Sequence, residues 1–381
     1  MEAKINRKDL LEKTKIMSSA IDKNFPIPAV RMVKMKFGKD IKLVATNSDF
    51  TVITSINDFL LESEENENTE LLIDPVKAYS FLSSLKSDMI KLIATDKNIT
   101  IKDGKSKMQM AIGEAKDFPR ISTKHGNNNF VIDVKEFENA LNKVKDSMSY
   151  ASTRPILNGV NMVGNENGTL RLQTTDSYRL SRHNLKINVS ENFNIVIPSK
   201  CIKFILKNVN SQKYEKMKFI IENKEVFIQY GDYILKSRII DGTFPNMDRI
   251  LNQNSIINLK VSTDGLNDII KKCQIVRDTD STCLITLNYS HDDNKIRAVS
   301  QIKGISKIED ELYVEEINFD SNKNDISISF NADYLQSAIQ NIDTNSFIMN
   351  ICGELKPCFI LDNLKEDEQN GIQVVVPVRT Y

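Results

Sequence analysis

Thr153-Arg154-Pro155-Ile156-Leu157-Asn158-Gly159-Val160, followed by Leu170-Arg171-Leu172-Gln173-Thr174-Thr175-Asp176-Ser177-Tyr178-Arg179-Leu180, decides how this chain is read. Residues 160–163 and 170–173 alternate apolar and polar, as half-buried strands do. Gly164 to Gly168 predicts the hairpin turn between them. A dense polar cluster, 174–179, follows the second strand and closes on Leu180. A hydroxyl-rich corner with one Tyr, one Arg and a following Leu can border an apolar pocket with a polar rim. Whatever completes such a pocket has to come from elsewhere in the chain.

The 381 residues are enough for two or three domains with real cores. Lys+Arg and Asp+Glu balance at 51 each, which excludes a uniformly basic nucleic-acid binder but not a local basic surface. Cys201, Cys273, Cys283, Cys352 and Cys358 are odd in number, scattered and without a Cys-x-x-Cys pair, so they read as buried thiols in a reducing compartment. No apolar run follows Met1-Glu2-Ala3-Lys4, and no stretch approaches the roughly 20 apolar residues of a membrane span. The expectation is a soluble cytoplasmic protein with no membrane partner.

The order of elements recurs. A helix over 7–23, strands, a helix opened by Asp74-Pro75 and further strands end at Phe118-Pro119. A soft linker, 122–129, precedes a second round: helices over 135–147 and from Pro198, strands, then Phe244-Pro245. After an Asn-rich linker a third round has helices over 263–275 and 331–342 and ends at Pro377. Phe118-Pro119 and Phe244-Pro245 lie 126 residues apart, and Pro377 lies 132 beyond Pro245. A period that long is a tandem domain rather than a solenoid repeat. The predicted domains are 1–122, 129–249 and 255–381, in the α+β class.

Catalytic motifs are sparse. The chain has no glycine-rich phosphate cradle, no His-Glu-x-x-His and no Gly-x-Ser-x-Gly elbow. His125, His183 and His291 are far apart in sequence, so neither a metal nor a cofactor is expected. Asp176 beside Tyr178 and Arg179 gives the alternative reading, a small-ligand enzyme, but lacks a second titratable partner; turn chemistry is the plainer role. The helices are more telling. Lys200, Lys203 and Lys207 share one helix with no acid, Lys77 and Lys86 another, Lys8, Lys13, Lys15 and Lys23 the first, Lys135, Lys143 and Lys145 the third, and Lys271 and Lys272 the fifth. Side by side they would line a path for a phosphate backbone without base readout.

Thr153–Gly159, Thr175–Leu180, Ile197-Pro198-Ser199-Lys200, Asp241-Gly242-Thr243-Phe244-Pro245 and Val376-Pro377-Val378-Arg379 together resemble the signatures of the bacterial DNA polymerase III beta subunit, the sliding clamp, in order and spacing. The resemblance covers the whole chain. It implies three tandem clamp modules and a head-to-tail homodimeric ring, with helices lining the inside and antiparallel sheets outside. The ring would encircle double-stranded DNA without sequence specificity, tether the DNA polymerase and be loaded by an ATP-dependent clamp loader. Lys23, Lys77, Lys143, Arg154, Lys200, Lys203, Lys207 and Lys271 would face DNA. Met108 and Met110 would meet Ile275 and Val276 of a second copy.

The resemblance also implies one partner-peptide pocket per subunit, between the second and third modules. By position, its first wall is Leu157, Thr175, Ser177, Tyr178, Arg179 and Leu180, joined by Pro245, Arg249 and Ile250. Asn331, Tyr334, Leu355, Val374, Val376, Pro377, Val378 and Arg379 complete it. Apolar anchors behind a rim of Tyr178, Arg179 and Arg379 suit a small hot-spot groove. The chain differs from the family in its neutral charge, in Asn24 where Arg is common, and in running on to Tyr381.

Overall fold

In a computed structural model, residues 1–61, 69–122, 129–277, 282–290, 294–319, 325–365 and 368–380 are described. The acidic stretch from Glu62, most of the first linker, His125, Asp292-Asp293, His291, Glu366 and Tyr381 lie outside them. The chain divides into one unit of Met1–Glu136 with Lys200–Ile240 and another of Phe137–Ser199 with Asp241–Tyr381.

Seven α-helices occur among the described residues: α1 (Arg7–Ala20), α2 (Pro75–Ser84), α3 (Val134–Val144), α4 (Ser199–Asn208), α5 (Asp248–Leu251), α6 (Thr263–Cys273) and α7 (Ala332–Gln340). Their starts follow from local chemistry. The first amide hydrogens of a helix lack intrahelical acceptors, and a short polar side chain supplies one. Asn6 accepts from the amides of Lys8 and Asp9, Asp74 from Val76 and Lys77, and Asn331 from Asp333 and Tyr334. For α6 the capping side chain is Ser262, bonded to the Gly265 amide, one residue before the helix begins at Thr263.

All strand pairs described are antiparallel, in sheets of five, eight, nine and four strands. Within the first unit, the eight-stranded sheet joins strands from the first and second thirds of the sequence. Its junction is Phe50–Ile56 against Tyr233–Arg238, with Phe50 opposite Ser237. Within the second unit, the nine-stranded sheet joins the second and last thirds through Arg179–Lys186 against Gly371–Val375, with Arg179 opposite Val375. The core of the second unit includes Ile257, Leu259, Leu266, Phe330 and Leu335, packed between α6, α7 and both of its sheets.

Two expectations need correction. Lys13 does not belong to a solvated basic face: it is 4% exposed, and its ammonium reaches Asp232, Asp9 and the Ser55 carbonyl. An ammonium that is out of water has to be paired, and the carboxylates supply this. The polar cluster 174–179 does not wholly follow the second strand either. The strand Thr169–Thr175 runs through Thr174, and the next strand begins at Arg179, leaving a three-residue corner.

Gly159 sits where the strand Gly159–Asn165 opens against Pro198. A Cβ there would lie 2.3 Å from the Ile197 carbonyl oxygen, which is backbone and cannot step aside. Gly159→Ala is expected to destabilise the protein by about 1–3 kcal/mol through overpacking, read as a lower urea midpoint with an unchanged slope.

Candidate functional site

The corner Asp176-Ser177-Tyr178 is built by its own side chains. Asp176 Oδ1 accepts from the Tyr178 and Arg179 amides, both at 3.0 Å, an Asx-type turn. Thr175 Oγ1 accepts from the Ser177 amide at 3.1 Å and donates to the Arg179 carbonyl at 2.7 Å. Ser177 sits at φ 81°, in the left-handed region. This geometry turns Tyr178 outward, 63% exposed.

Arg179 is held from three sides. Its Nε donates to Asp176 Oδ2 at 2.9 Å, an NH group donates to Ser337 Oγ at 2.9 Å, and the guanidinium lies 4.3 Å from the Tyr334 ring centre. Tyr178 and Tyr334 face each other with ring centres 6.4 Å apart. The Tyr334 hydroxyl is pushed to higher pKa by burial, then by the Asp176 charge. The Asp176 carboxylate is thus committed to the turn and to Arg179, and the alternative acid–base site at Asp176, Tyr178 and Arg179 is a structural corner.

The C-terminal strand seals one side. Leu180 lies opposite Val374, and the Val376 amide donates to the Tyr178 carbonyl at 2.9 Å. The Val378 amide donates to the Ser329 carbonyl at 2.7 Å, so the tail reaches an edge strand of the four-stranded sheet. Leu157, Leu180 and Val374 are buried; Val376, Pro377 and Val378 are half-buried, and Arg379 is exposed. Asn331 contributes as the cap of α7, the helix that presents Tyr334 and Ser337. Pro245 is half-buried beside the buried Phe244; Arg249 is exposed and Ile250 half-buried on α5, and Leu355 is 58% exposed at a turn.

Residues that sequence reasoning missed hold α5 in place. Arg182, buried on the strand after the corner, donates to Asp248 Oδ1 at 2.8 Å and to Gln173 Oε1 at 3.0 Å. Gln173 donates to Asn161, and Asn161 to Asn194 and the Ile195 carbonyl. The Arg182 hydrogen bond holds the Asp248 carboxyl below the usual carboxylate range. A buried chain of polar groups is tolerated because its members partner one another. Local sequence carries no signal for this pairing, because Arg182 and Asp248 lie 66 residues apart.

The expected DNA-facing cations divide. In the first unit Lys23, Lys200, Lys203 and Lys207 line one hollow of about 330 Å³, with Phe50 and Phe204 at its base. Lys200 pairs with Asp49 at 2.8 Å; the ammoniums of Lys23 and Lys207 have no partner among the described residues. Lys77 is exposed near Asp74, and in the second unit Arg154 and Lys271 are exposed. Lys143 is engaged elsewhere: its ammonium bonds the Asn341 carbonyl and Asp343 Oδ1, both at 2.5 Å. Met110 and Val276 are buried, Met108 is half-buried, and Ile275 is 77% exposed. No cluster of metal-binding side chains occurs among the described residues, and no helix among them is long and apolar enough to cross a membrane.

Comparison with known proteins bears on all of this. A family model for the central domain of the DNA polymerase III beta subunit matches residues 131–246, and one for its C-terminal domain matches 248–379. A beta sliding clamp of Staphylococcus aureus (strain Mu50) is 25% identical over 388 residues, and one of Staphylococcus epidermidis 24% over 389, each aligned over all of both chains. The DNA polymerase sliding clamp of Bacillus subtilis has the same fold at TM-score 0.90 and 20% identity. The DNA polymerase III beta chain of Streptococcus pneumoniae matches at 0.91 and 20%, again over all of both chains.

Removing the carboxylate that builds the corner strips two amides and a guanidinium of their acceptor. Asp176→Ala is expected to cost about 1–2 kcal/mol, measured by chemical unfolding, while Asp176→Asn retains the amide contacts and costs less.

Proposed function

The chain belongs to the DNA polymerase III beta-subunit family, the beta sliding clamps, and we propose that two copies close head to tail into a ring around duplex DNA. Each copy would supply three modules, 1–122, 129–249 and 255–381. The ring holds the replicative polymerase by topology: it cannot leave a closed circle without opening, and a separate ATP-driven loader opens it. The correspondence with curated clamps over the full length of both chains carries this reading.

Physical features agree with it. Sliding needs attraction to phosphates without register, and mobile lysines supply that. The hollow lined by Lys23, Lys200, Lys203 and Lys207 supports such a contact, together with Lys77, Arg154 and Lys271. Lys143 enters only if its bonds at Asn341 and Asp343 are released. Ring closure needs two free sheet edges. The strand Ser106–Ala111, with Met108 and Met110, is an edge of the five-stranded sheet, and Ser306–Tyr313, with Tyr313 71% exposed, is an edge of the four-stranded one. Pairing them between copies beside Ile275 and Val276 would continue one sheet into the next.

The corner at Tyr178 is the dock for partner peptides carrying Gln and Leu or Phe, from polymerase and loader. Its support is the exposed Tyr178 ring beside Arg179, Tyr334 and the apolar Leu157, Leu180, Val374 and Val376. Leu355, Arg249, Ile250 and Arg379 would form its rim.

The protein is expected to stay on nicked circular DNA after loader-dependent loading and to fall off once the circle is cut; equal retention on both forms would sink the topological mechanism. Ending the chain at Val375 is expected to abolish binding of a Gln/Leu peptide while the mass in solution stays at twice that of the shortened chain, as the full-length protein is expected to stay at twice 43.4 kDa. Unchanged peptide affinity would refute the dock.

A further inference from the structure

The corner of the second unit has a counterpart in the first. Asn47 Oδ1 accepts from the Asp49 and Phe50 amides at 2.9 Å, as Asp176 does from Tyr178 and Arg179. The Arg238 amide donates to the Asp49 carbonyl, as the Val376 amide does to that of Tyr178. Phe50 lies opposite Ser237, and Arg179 opposite Val375. Even the helix contact is matched: Phe50 packs on Phe204 of α4 with ring centres 5.0 Å apart, where Arg179 bonds Ser337 of α7.

A hollow of about 460 Å³ lies against this counterpart. Its walls occupy the same places in the repeat as the peptide dock. Val30 stands for Leu157, Thr46 for Thr175 and Pro119 for Pro245, but Lys236 and Arg238 stand for Val374 and Val376. The frame is kept and two apolar walls become basic.

The charges are unevenly spent. Lys236 pairs with Glu225 at 2.8 Å, and Asp49 with Lys200. The guanidiniums of Arg120 and Arg238 are exposed and have no partner among the described residues. Between them the lining is apolar, with Ile27 52% exposed and Ile121 half-buried. Pro119-Arg120-Ile121 also borders a neighbouring hollow of about 470 Å³, where Lys42 is likewise unpaired over Val44 and Ile53.

We propose that this groove is a second docking site, taking an extended acidic peptide of a partner protein. Carboxylates would meet Arg238, Arg120 and Lys42, and an apolar side chain would fill the space by Ile27 and Ile121. The inference rests on reading the Tyr178 corner as a peptide dock. A peptide fits better than a nucleic-acid backbone. Isolated cations interrupted by apolar floor match the alternating side chains of an extended peptide better than a continuous run of phosphates.

The test is fluorescence anisotropy with the intact protein and a dye-labelled heptapeptide of alternating glutamate and leucine. Binding is expected, weakened at least tenfold by Arg120→Glu with Arg238→Glu, weakened less by the same pair changed to Gln, and reduced by salt. Thermal melts of the variants are expected to match the parent, since both side chains are exposed. Ending the chain at Val375, or saturating the Tyr178 corner with a Gln/Leu peptide, is expected to leave the acidic probe bound. Loss of the acidic probe in either of those two arms, insensitivity to both arginine pairs, no binding at all, or tighter binding of a single-stranded oligonucleotide displaced by the same variants would overturn the proposal. Failure of the Gln/Leu peptide alone, with the acidic probe still held by Arg120 and Arg238, would strike the Tyr178 reading and spare this one.

Discussion

Antiparallel edge pairing between strands far apart in sequence is the constraint on which the rest depends. Tyr233–Arg238 closes on Phe50–Ile56, and Gly371–Val375 closes on Arg179–Lys186. An exposed strand edge leaves amides and carbonyls unpaired, and a neighbouring repeat satisfies them. Each ladder fixes register to the residue, because a slip by one would turn every side chain to the wrong face. That register sets Leu180 opposite Val374 and delivers the Val376 amide to Tyr178. A tail nearly 200 residues downstream therefore arrives at the corner through backbone pairing, with a Ser181–Gln373 side-chain hydrogen bond beside it.

Around the second ladder the polar groups do two jobs with different economies. Asp176, Thr175 and Arg179 shape a solvent-facing corner, where turn geometry and a partly shielded ion pair are enough. Below it, Arg182, Gln173 and Asn161 cross the sheet as a buried chain that ends on Asp248. Losing one member there would strand the next without water to replace it. This chain is what anchors α5, with Arg249 and Ile250.

Repetition of the frame lets chemistry diverge while geometry holds. Asn47 and Asp176 build the same turn, yet one is followed by Asp49 and Phe50, which bind Lys200 and Phe204. The other is followed by Tyr178 and Arg179, with Tyr178 left open to solvent. Backbone hydrogen bonds are indifferent to the outward side chain, so a repeated corner can carry an apolar surround in one unit and a basic one in the other.

Several features were determined by sequence alone. The α+β class, the helix start at Pro75 and the period near one third of the chain follow from local signals: caps, proline and alternation each act within a few residues; the helix expected from Pro198 begins one residue later, at Ser199, with Pro198 closing the strand before it. The family resemblance was likewise legible, in short motifs held in order. The strand Arg179–Lys186 was not, because Ser181 and Arg182 are buried among polar partners and erase the alternation. The burial of Lys13 by Asp232 and the capture of Lys143 by Asp343 were equally hidden, each partner lying about 200 residues away. Tertiary structure alone decides which charges are free, since a charge is neutralised by whatever lies within a few ångströms and chain order carries no such distance.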